Sequence, residues 1–271
     1  MLKILKNKIV IFFLILVCIV LLFIFFGKEK KSEQSQVGKA YFNAFASIKE
    51  KEYNKELEFD ITKIENKRDK VNFDKRLRRV IFELIKTPLN MPPAEEMLVE
   101  RESVIDKGKY VEQKIKILTS DSTIAYAYLL TPKNVPLPAP TIIAMHQHGG
   151  TKYGAEEVVG NIGDSSLFYG KELAERGYVV FAMDSSSFGN RKDITEDSFE
   201  VQEKREAEDL FTIGYSPLGI IIEEDLASLD FLVALEEIVD KNNIGCIGHS
   251  FGGTKCLYLS ALDERVKVVV L

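Results

Sequence analysis

Apolar residues change their spacing several times along this chain, and each change marks a boundary. Residues 9–26 form an uninterrupted apolar run of 18, preceded by Lys3, Lys6 and Lys8. At about 1.5 Å per helical residue the run spans roughly 27 Å, close to the hydrocarbon thickness of a bilayer. It ends Phe25-Phe26-Gly27-Lys28, without the small-residue pattern of a signal-peptide cleavage site. Leu16-Val17, just before Cys18, is too bulky for a lipoprotein cleavage site. The pattern therefore predicts an uncleaved transmembrane helix over residues 1–27, followed by a polar tether over 28–39. Lysines flank both ends, and the N-terminal cluster favours a single-pass orientation with the rest of the chain outside the cytoplasm.

From Ala40 to about Lys86 the spacing is helical. Tyr41, Phe42, Phe45 and Ile48 form one stripe, and Leu77, Val80, Ile81, Leu84 and Ile85 form another. The charged stretch Asn66 to Lys70 between them reads as solvated, and Pro88 and Pro92-Pro93 close the segment. Residues 40–98 are thus expected to be a helical extension or cap, or else a plain spacer from the membrane.

From Val99 onward the periods alternate. Tyr110 to Leu118 and Thr123 to Leu130 alternate apolar and polar positions around Thr119-Ser120-Asp121-Ser122, which predicts an antiparallel hairpin. Thr141 to Met145 and Tyr178 to Met183 are continuous apolar runs, as expected of buried strands. Helical spacing covers Leu167 to Arg176, Phe199 to Leu210, the segment after Pro217 (Leu226, Leu229, Leu232, Val233, Leu235) and Thr254 to Leu262. Ile244 to Ile247 and Val266 to Leu271 are further apolar strands, the last expected to lie inside the sheet. Strands alternating with helices imply a mostly parallel, doubly covered sheet with a leading antiparallel hairpin, an α/β domain over 99–271.

Composition narrows the function classes. The chain has 46% hydrophobic and 28% charged residues and a net charge of −5, so no strongly basic face is implied and nucleic acid is excluded as an expected partner. Cys18, Cys246 and Cys256 make no metal spacing and no disulfide framework, and are expected to be buried small hydrophobes.

The chemistry concentrates in Gly248-His249-Ser250-Phe251-Gly252-Gly253, set between the strand ending at Ile247 and the following helix. This is the G-x-S-x-G pattern of a nucleophile elbow. A serine on so sharp a turn sits at a strained backbone position, and its neighbours two residues away must lack side chains. The helix behind the turn aims N–H groups and its positive end at the reacting oxygen.

With this order of strands, the chain resembles the α/β-hydrolase superfamily, and more narrowly its dienelactone hydrolase and acetyl-xylan-esterase-like branch. The residues carrying the likeness are His146-Gln147-His148-Gly149-Gly150, Arg176-Gly177-Tyr178 to Asp184, Asp225 to Leu232, and Gly248 to Gly253, within a match from about Leu77 to Leu271. The resemblance implies Ser250 as the nucleophile. It implies an oxyanion hole made by the amide of Phe251 and a second amide from Gln147, His148 or Gly149. The triad acid and histidine are then expected after the serine, in that order. Residues 251–271 contain no histidine, and Asp263 and Glu264 lie too far along the elbow helix. The expectation is a C-terminally truncated serine hydrolase lacking both triad partners, inactive or weakly active as it stands.

His249 is expected to point away from the reacting group. His146 and His148 are two residues apart without a carboxylate motif, so no metal site is expected there. Asp184, Ser185 and Phe188, on a loop at the carboxyl end of a strand, are the expected substrate contacts. The anticipated substrate is a small-molecule carboxylic ester, with no cofactor. A peptidase of the same fold, or a non-catalytic binding protein, is the alternative.

Overall fold

The computed structural model describes residues 61–85, 92–120, 123–148, 153–192 and 198–271. The chain divides into two compact units, residues 1–70 and 71–271. The apolar run at 9–26, the tether and most of the helical extension lie outside the described residues. Among those described, no helix is long and apolar enough to cross a membrane.

A short 3-10 turn at Ile61–Lys63 in the first unit precedes helix α1 (Lys67–Ile85), whose residues from Val71 onward belong to the second unit. Asn66 Oδ1 accepts the backbone N–H groups of Arg68 and Asp69 at 2.9 and 3.1 Å. The charged stretch Asn66 to Lys70 is largely exposed, as expected, and forms a capped helix start, because asparagine satisfies N–H groups that the first turn leaves unpaired.

The second unit is built on a seven-stranded sheet in the order β1-β2-β3-β5-β4-β6-β7. Its strands are β1 (Leu98–Asp106), β2 (Tyr110–Leu118), β3 (Ile124–Pro132), β4 (Ala139–Met145), β5 (Val179–Met183), β6 (Val239–Gly248) and β7 (Val266–Val270). β1 to β3 pair antiparallel, β3 pairs antiparallel with β5, and β5, β4, β6 and β7 run parallel. The expected leading hairpin is thus a three-stranded meander. β1 escapes the pattern because Val99, Val104 and Ile105 are exposed on an edge strand, so its apolar residues follow no buried face.

The helices of this unit are α2 (Ala155–Val158), α3 (Tyr169–Glu175), α4 (Phe199–Thr212), α5 (Pro217–Ala234) and α6 (Phe251–Leu262), with α1 joining from Val71. Period-2 alternation sends each strand's side chains into two cores. Val179, Phe181 and Met183 join Ile143, Met145, Leu229, Leu232, Cys256 and Leu259 under α5 and α6. Val180 and Ala182 join Ala144, Val158 and Ala174 under α2 and α3. Each large side chain so buried contributes about 1.5–3 kcal/mol of transfer free energy.

β7 closes one side of the described sheet with its outer edge unpaired, as expected where the chain supplies no further strand. It is the outermost strand of the described sheet, pairing with β6 alone, and Val268 and Val270 are 60% and 50% exposed. Beside it an apolar groove of about 330 Å³ crosses the sheet face, lined by Ile142, Leu173, Tyr178, Ile247, Val268 and Val270 among others.

Candidate active site

The sheet places the site. After β4 the chain adds β5 on one side and later β6 on the other, so the strand order reverses at β4. In open α/β sheets the crevice beyond the strand ends at such a switch point is where ligands bind. Met145 at the end of β4 pairs with Gly248 at the end of β6. The turn carrying His146 to His148 therefore lies beside the elbow, and the loop after β5 closes the other flank.

The elbow has the geometry its sequence predicts. Ser250 sits at φ 53°, ψ −115°, a left-handed position that a serine adopts only when its surroundings force it. The flanking glycines are required by contact. A Cβ on Gly248 would lie 2.2 Å from the Gly252 carbonyl carbon, and one on Gly252 would lie 2.1 Å from the Met145 oxygen. Both obstacles are backbone and cannot swing aside. Helix α6 begins at Phe251, so its N-terminal end underlies the serine, which is exposed. Cys246 in β6 and Cys256 in α6 form a disulfide with a Cα–Cα distance of 5.6 Å, tying strand to helix behind the turn. That corrects the expectation of unpaired cysteines. A separation of ten residues across a change of element leaves no mark in the periodicity.

His146 is fully buried, and both of its ring nitrogens are committed. Nε2 accepts the Ser185 N–H at 3.1 Å, so the ring proton sits on Nδ1, which donates to the Gln147 carbonyl at 2.9 Å. Burial, followed by the nearby Lys255 charge, pushes its pKa down to about 3. It is a neutral structural histidine without a free nitrogen to take a proton from serine. The Gln147 side chain donates to Glu157 Oε2 at 2.6 Å within the protein.

His148 is exposed. Its Nε2 lies 2.7 Å from Glu203 Oε1 on α4, and its ring stands edge-on to Phe188 and Phe251 at centroid distances of 5.6 and 5.9 Å. These contacts bring the turn after β4 against the residue after Ser250. Gly149, the other oxyanion candidate, lies outside the described residues. Among the described residues, no group of three or more His, Cys, Asp or Glu side chains could hold a metal ion.

The loop after β5 is used differently from expectation. Asp184, Ser185 and Phe188 are each at most 1% exposed, so their side chains are packed within the protein, Phe188 against a small cavity shared with Glu203 and Ile221. Asp184 Oδ1 accepts the Ala155 N–H at 2.7 Å, and Oδ2 accepts the Asn190 N–H and side-chain amide at 2.9 and 3.1 Å. Its carboxylate fills a cradle so tight that a Cβ on Gly154 or Gly189 would come within 2.2 or 2.3 Å of it. Burial raises the Asp184 pKa against the pull of those N–H donors. Phe188 packs its ring on His146 and Phe199. The loop is a scaffold for the crevice wall, its chemistry turned inward.

A buried charge network beneath this loop escaped sequence reasoning. Arg191 donates to Glu224 on α5 through both terminal nitrogens, at 2.5 and 2.7 Å, and Glu224 also accepts from Thr119 Oγ1 at 2.8 Å. Lys255 on α6 is 1% exposed; its Nζ donates to Ser185 Oγ at 2.8 Å and pairs with Asp225 Oδ1 at 3.2 Å. Burial pushes Asp225 up to about 6 even though the Lys255 ammonium opposes the shift. The available signal was Glu223-Glu224-Asp225 inside an apolar helix, where charge is retained only if paired.

Comparison with known proteins agrees with this geometry. The Bacillus subtilis (strain 168) protein named hydrolase YtaP is 26% identical over 195 residues, covering 71% of this chain and 62% of its own. A Bacteroides fragilis NCTC 9343 structure titled an acetyl xylan esterase superposes with a TM-score of 0.69 at 19% identity, covering 83% of this chain and 59% of its own. A Solibacter usitatus glucuronoyl esterase superposes with a TM-score of 0.51 at 15% identity, covering 76% of this chain and 59% of its own. The chain spans about three-fifths of the length of these relatives. At such identities the structures share the fold, which is that of the α/β-hydrolases. A family model described as the abhydrolase family matches residues 32–271, and the chain belongs to that family.

Proposed function

We propose that this chain is a serine hydrolase that cleaves carboxylic esters through an acyl-enzyme on Ser250. The observation carrying the proposal is the Ser250 backbone at φ 53°, ψ −115°, exposed at the switch-point crevice on the N-terminal end of α6. Ser250 Oγ bonds to the ester carbonyl carbon while its proton passes through solvent water to the departing alkoxide oxygen, and the carbonyl electron pair moves onto its own oxygen. The Phe251 amide and an amide of the 146–149 turn stabilise that oxyanion, and its collapse expels the alcohol. Water then attacks the acyl carbon and releases the acid. Several structures sharing the fold bear esterase in their titles, which supports an ester over an amide.

The positions of the histidines support slow turnover by the 271-residue chain. His146 has no free nitrogen. The test is release of p-nitrophenol from p-nitrophenyl acetate by the full chain and by Ser250→Ala. Slow release that disappears in the variant is expected. Equal rates would overturn Ser250 as nucleophile, fast release would overturn the missing base, and comparable cleavage of a peptide p-nitroanilide would favour a peptidase.

We also place the chain at a membrane through residues 1–27, with the hydrolase domain outside the cytoplasm. The 18-residue apolar run supports this, as does a disulfide of the kind that persists in oxidising compartments. Recovery of the full-length, uncleaved chain in the aqueous fraction of lysed cells would overturn it.

A further inference from the structure

The charge network under the loop after β5 ends at the oxyanion turn. Asp225 pairs with Lys255 at 3.2 Å, and Lys255 donates to Ser185 Oγ at 2.8 Å. The Ser185 N–H donates to His146 Nε2 at 3.1 Å, and His146 Nδ1 donates to the Gln147 carbonyl oxygen at 2.9 Å. All four side chains are at most 3% exposed. The last acceptor matters because the Gln147 carbonyl and the His148 N–H belong to one planar trans peptide and point in opposite directions. Holding that carbonyl on the His146 ring turns the His148 N–H away from the ring. The His148 side chain, on the same residue, packs edge-on against Phe251, whose amide is the other oxyanion donor.

We infer that Lys255 and Asp225 are positioning residues for the oxyanion hole, acting through Ser185 and His146 to fix the Gln147–His148 peptide with its N–H toward the reacting oxygen. The inference rests on the nucleophile reading of Ser250 and adds how the second donor is selected and held. The geometry explains two buried features that the hydrolase reading leaves idle. One is a lysine on the apolar side of the elbow helix. The other is a histidine beside the nucleophile with both nitrogens occupied. The relay also separates the candidate donors, since the Gln147 side chain is anchored independently on Glu157. The His148 amide is the donor the relay orients.

The experiment compares the full chain with Lys255→Met, Asp225→Asn and Ser185→Ala. Two readouts are taken: the rate of fluorophosphonate labelling at Ser250 and the ring 15N pattern of His146. The phosphonyl oxygen acquires charge on attack and needs the same donors as an ester. Removing a whole oxyanion donor costs about 10²–10³-fold, so a donor left unoriented should slow labelling by about 10- to 100-fold. Wild type should show His146 protonated at Nδ1 alone, and the variants a mixture of the two tautomers.

Ser185→Ala keeps the buried Lys255–Asp225 pair, so it remains informative if Lys255→Met fails to fold. Combining it with Asp225→Asn should slow labelling no further than the slower single variant, because both break one chain. Labelling at unchanged rates with an unchanged His146 pattern would overturn the inference while leaving Ser250 as nucleophile. Labelling that persists in Ser250→Ala would overturn the nucleophile reading instead, and the His146 pattern would still decide whether the relay exists.

Discussion

At the scale of single residues, the elbow shows how little freedom the proposed nucleophile has. Gly248 and Gly252 are glycine because backbone atoms stand where their Cβ atoms would go, and Ser250 carries the strain of the turn between them. His146, on the turn after β4 whose last residue pairs with Gly248, shows that proximity to a proposed nucleophile does not make a base. Its burial has a consequence for stability against pH. An unfolded histidine titrates near 6.5, whereas the native one titrates near 3, so on acidification the unfolded chain takes up a proton that the native chain refuses. Stability from this residue is therefore present above pH 6.5 and lost as the pH falls toward 3. The loss is on the order of several kcal/mol, at 1.36 kcal/mol per pKa unit. Asp225, raised to about 6 by burial, acts in the opposite sense, favouring the native state as the pH falls from about 6 to 3.8. Comparing wild type with His146→Gln by urea unfolding from pH 7 to pH 4 isolates the histidine. The wild-type curve should fall more steeply on acidification, and parallel curves would contradict the assignment.

At the scale of elements, α5 joins the core to the site. Ser216 caps it by accepting the Gly219 N–H, Pro217 opens it, and Leu229 and Leu232 pack it on the sheet. The same helix carries Glu224 and Asp225 into the interior. Removing Glu224 strands Arg191, a guanidinium only 9% exposed, and breaking one side of a buried pair costs about 3–5 kcal/mol. Glu224→Ala should lower the unfolding free energy from urea titration by that amount, whereas Glu236→Ala, which removes the exposed partner of Lys241, should leave it unchanged. An equal shift in both would contradict the buried role.

The strands and helices of the parallel part were legible because continuous apolar runs and helical spacing have a single reading in a sheet covered on both faces. β1 was not, since an edge strand with exposed valines has no periodic face. The elbow was legible because a local steric rule dictates its glycines. Asp184, Ser185 and Phe188 were correctly located at the strand end, but whether a loop side chain turns outward or inward depends on distant partners such as Ala155 and Lys255. The disulfide and the Lys255 relay are likewise contacts across elements, which periodicity along one segment does not encode.

At the scale of the whole molecule, the two cores are unequally covered. Under α5 and α6 the apolar face is closed, while on the α3 side the groove beside β7 leaves Val268, Val270 and Leu271 exposed. A flat, apolar, unpaired strand edge invites pairing with another chain. The 271-residue chain should self-associate through this region, and Val268→Lys should raise the monomer fraction seen by sedimentation velocity. An unchanged distribution would show that the groove plays no part in association. The proposed catalysis and the predicted association fall in different places, the crevice beyond the strand ends and the face beside β7.

The central claim is that the strained serine at the crevice is the group that reacts. Prolonged incubation of the full chain with a fluorophosphonate, followed by intact-mass measurement and peptide mapping, tests it directly. The account predicts one adduct, formed slowly, on the peptide containing Ser250 and absent from Ser250→Ala. An adduct on another residue, or an equal adduct in the variant, would contradict it.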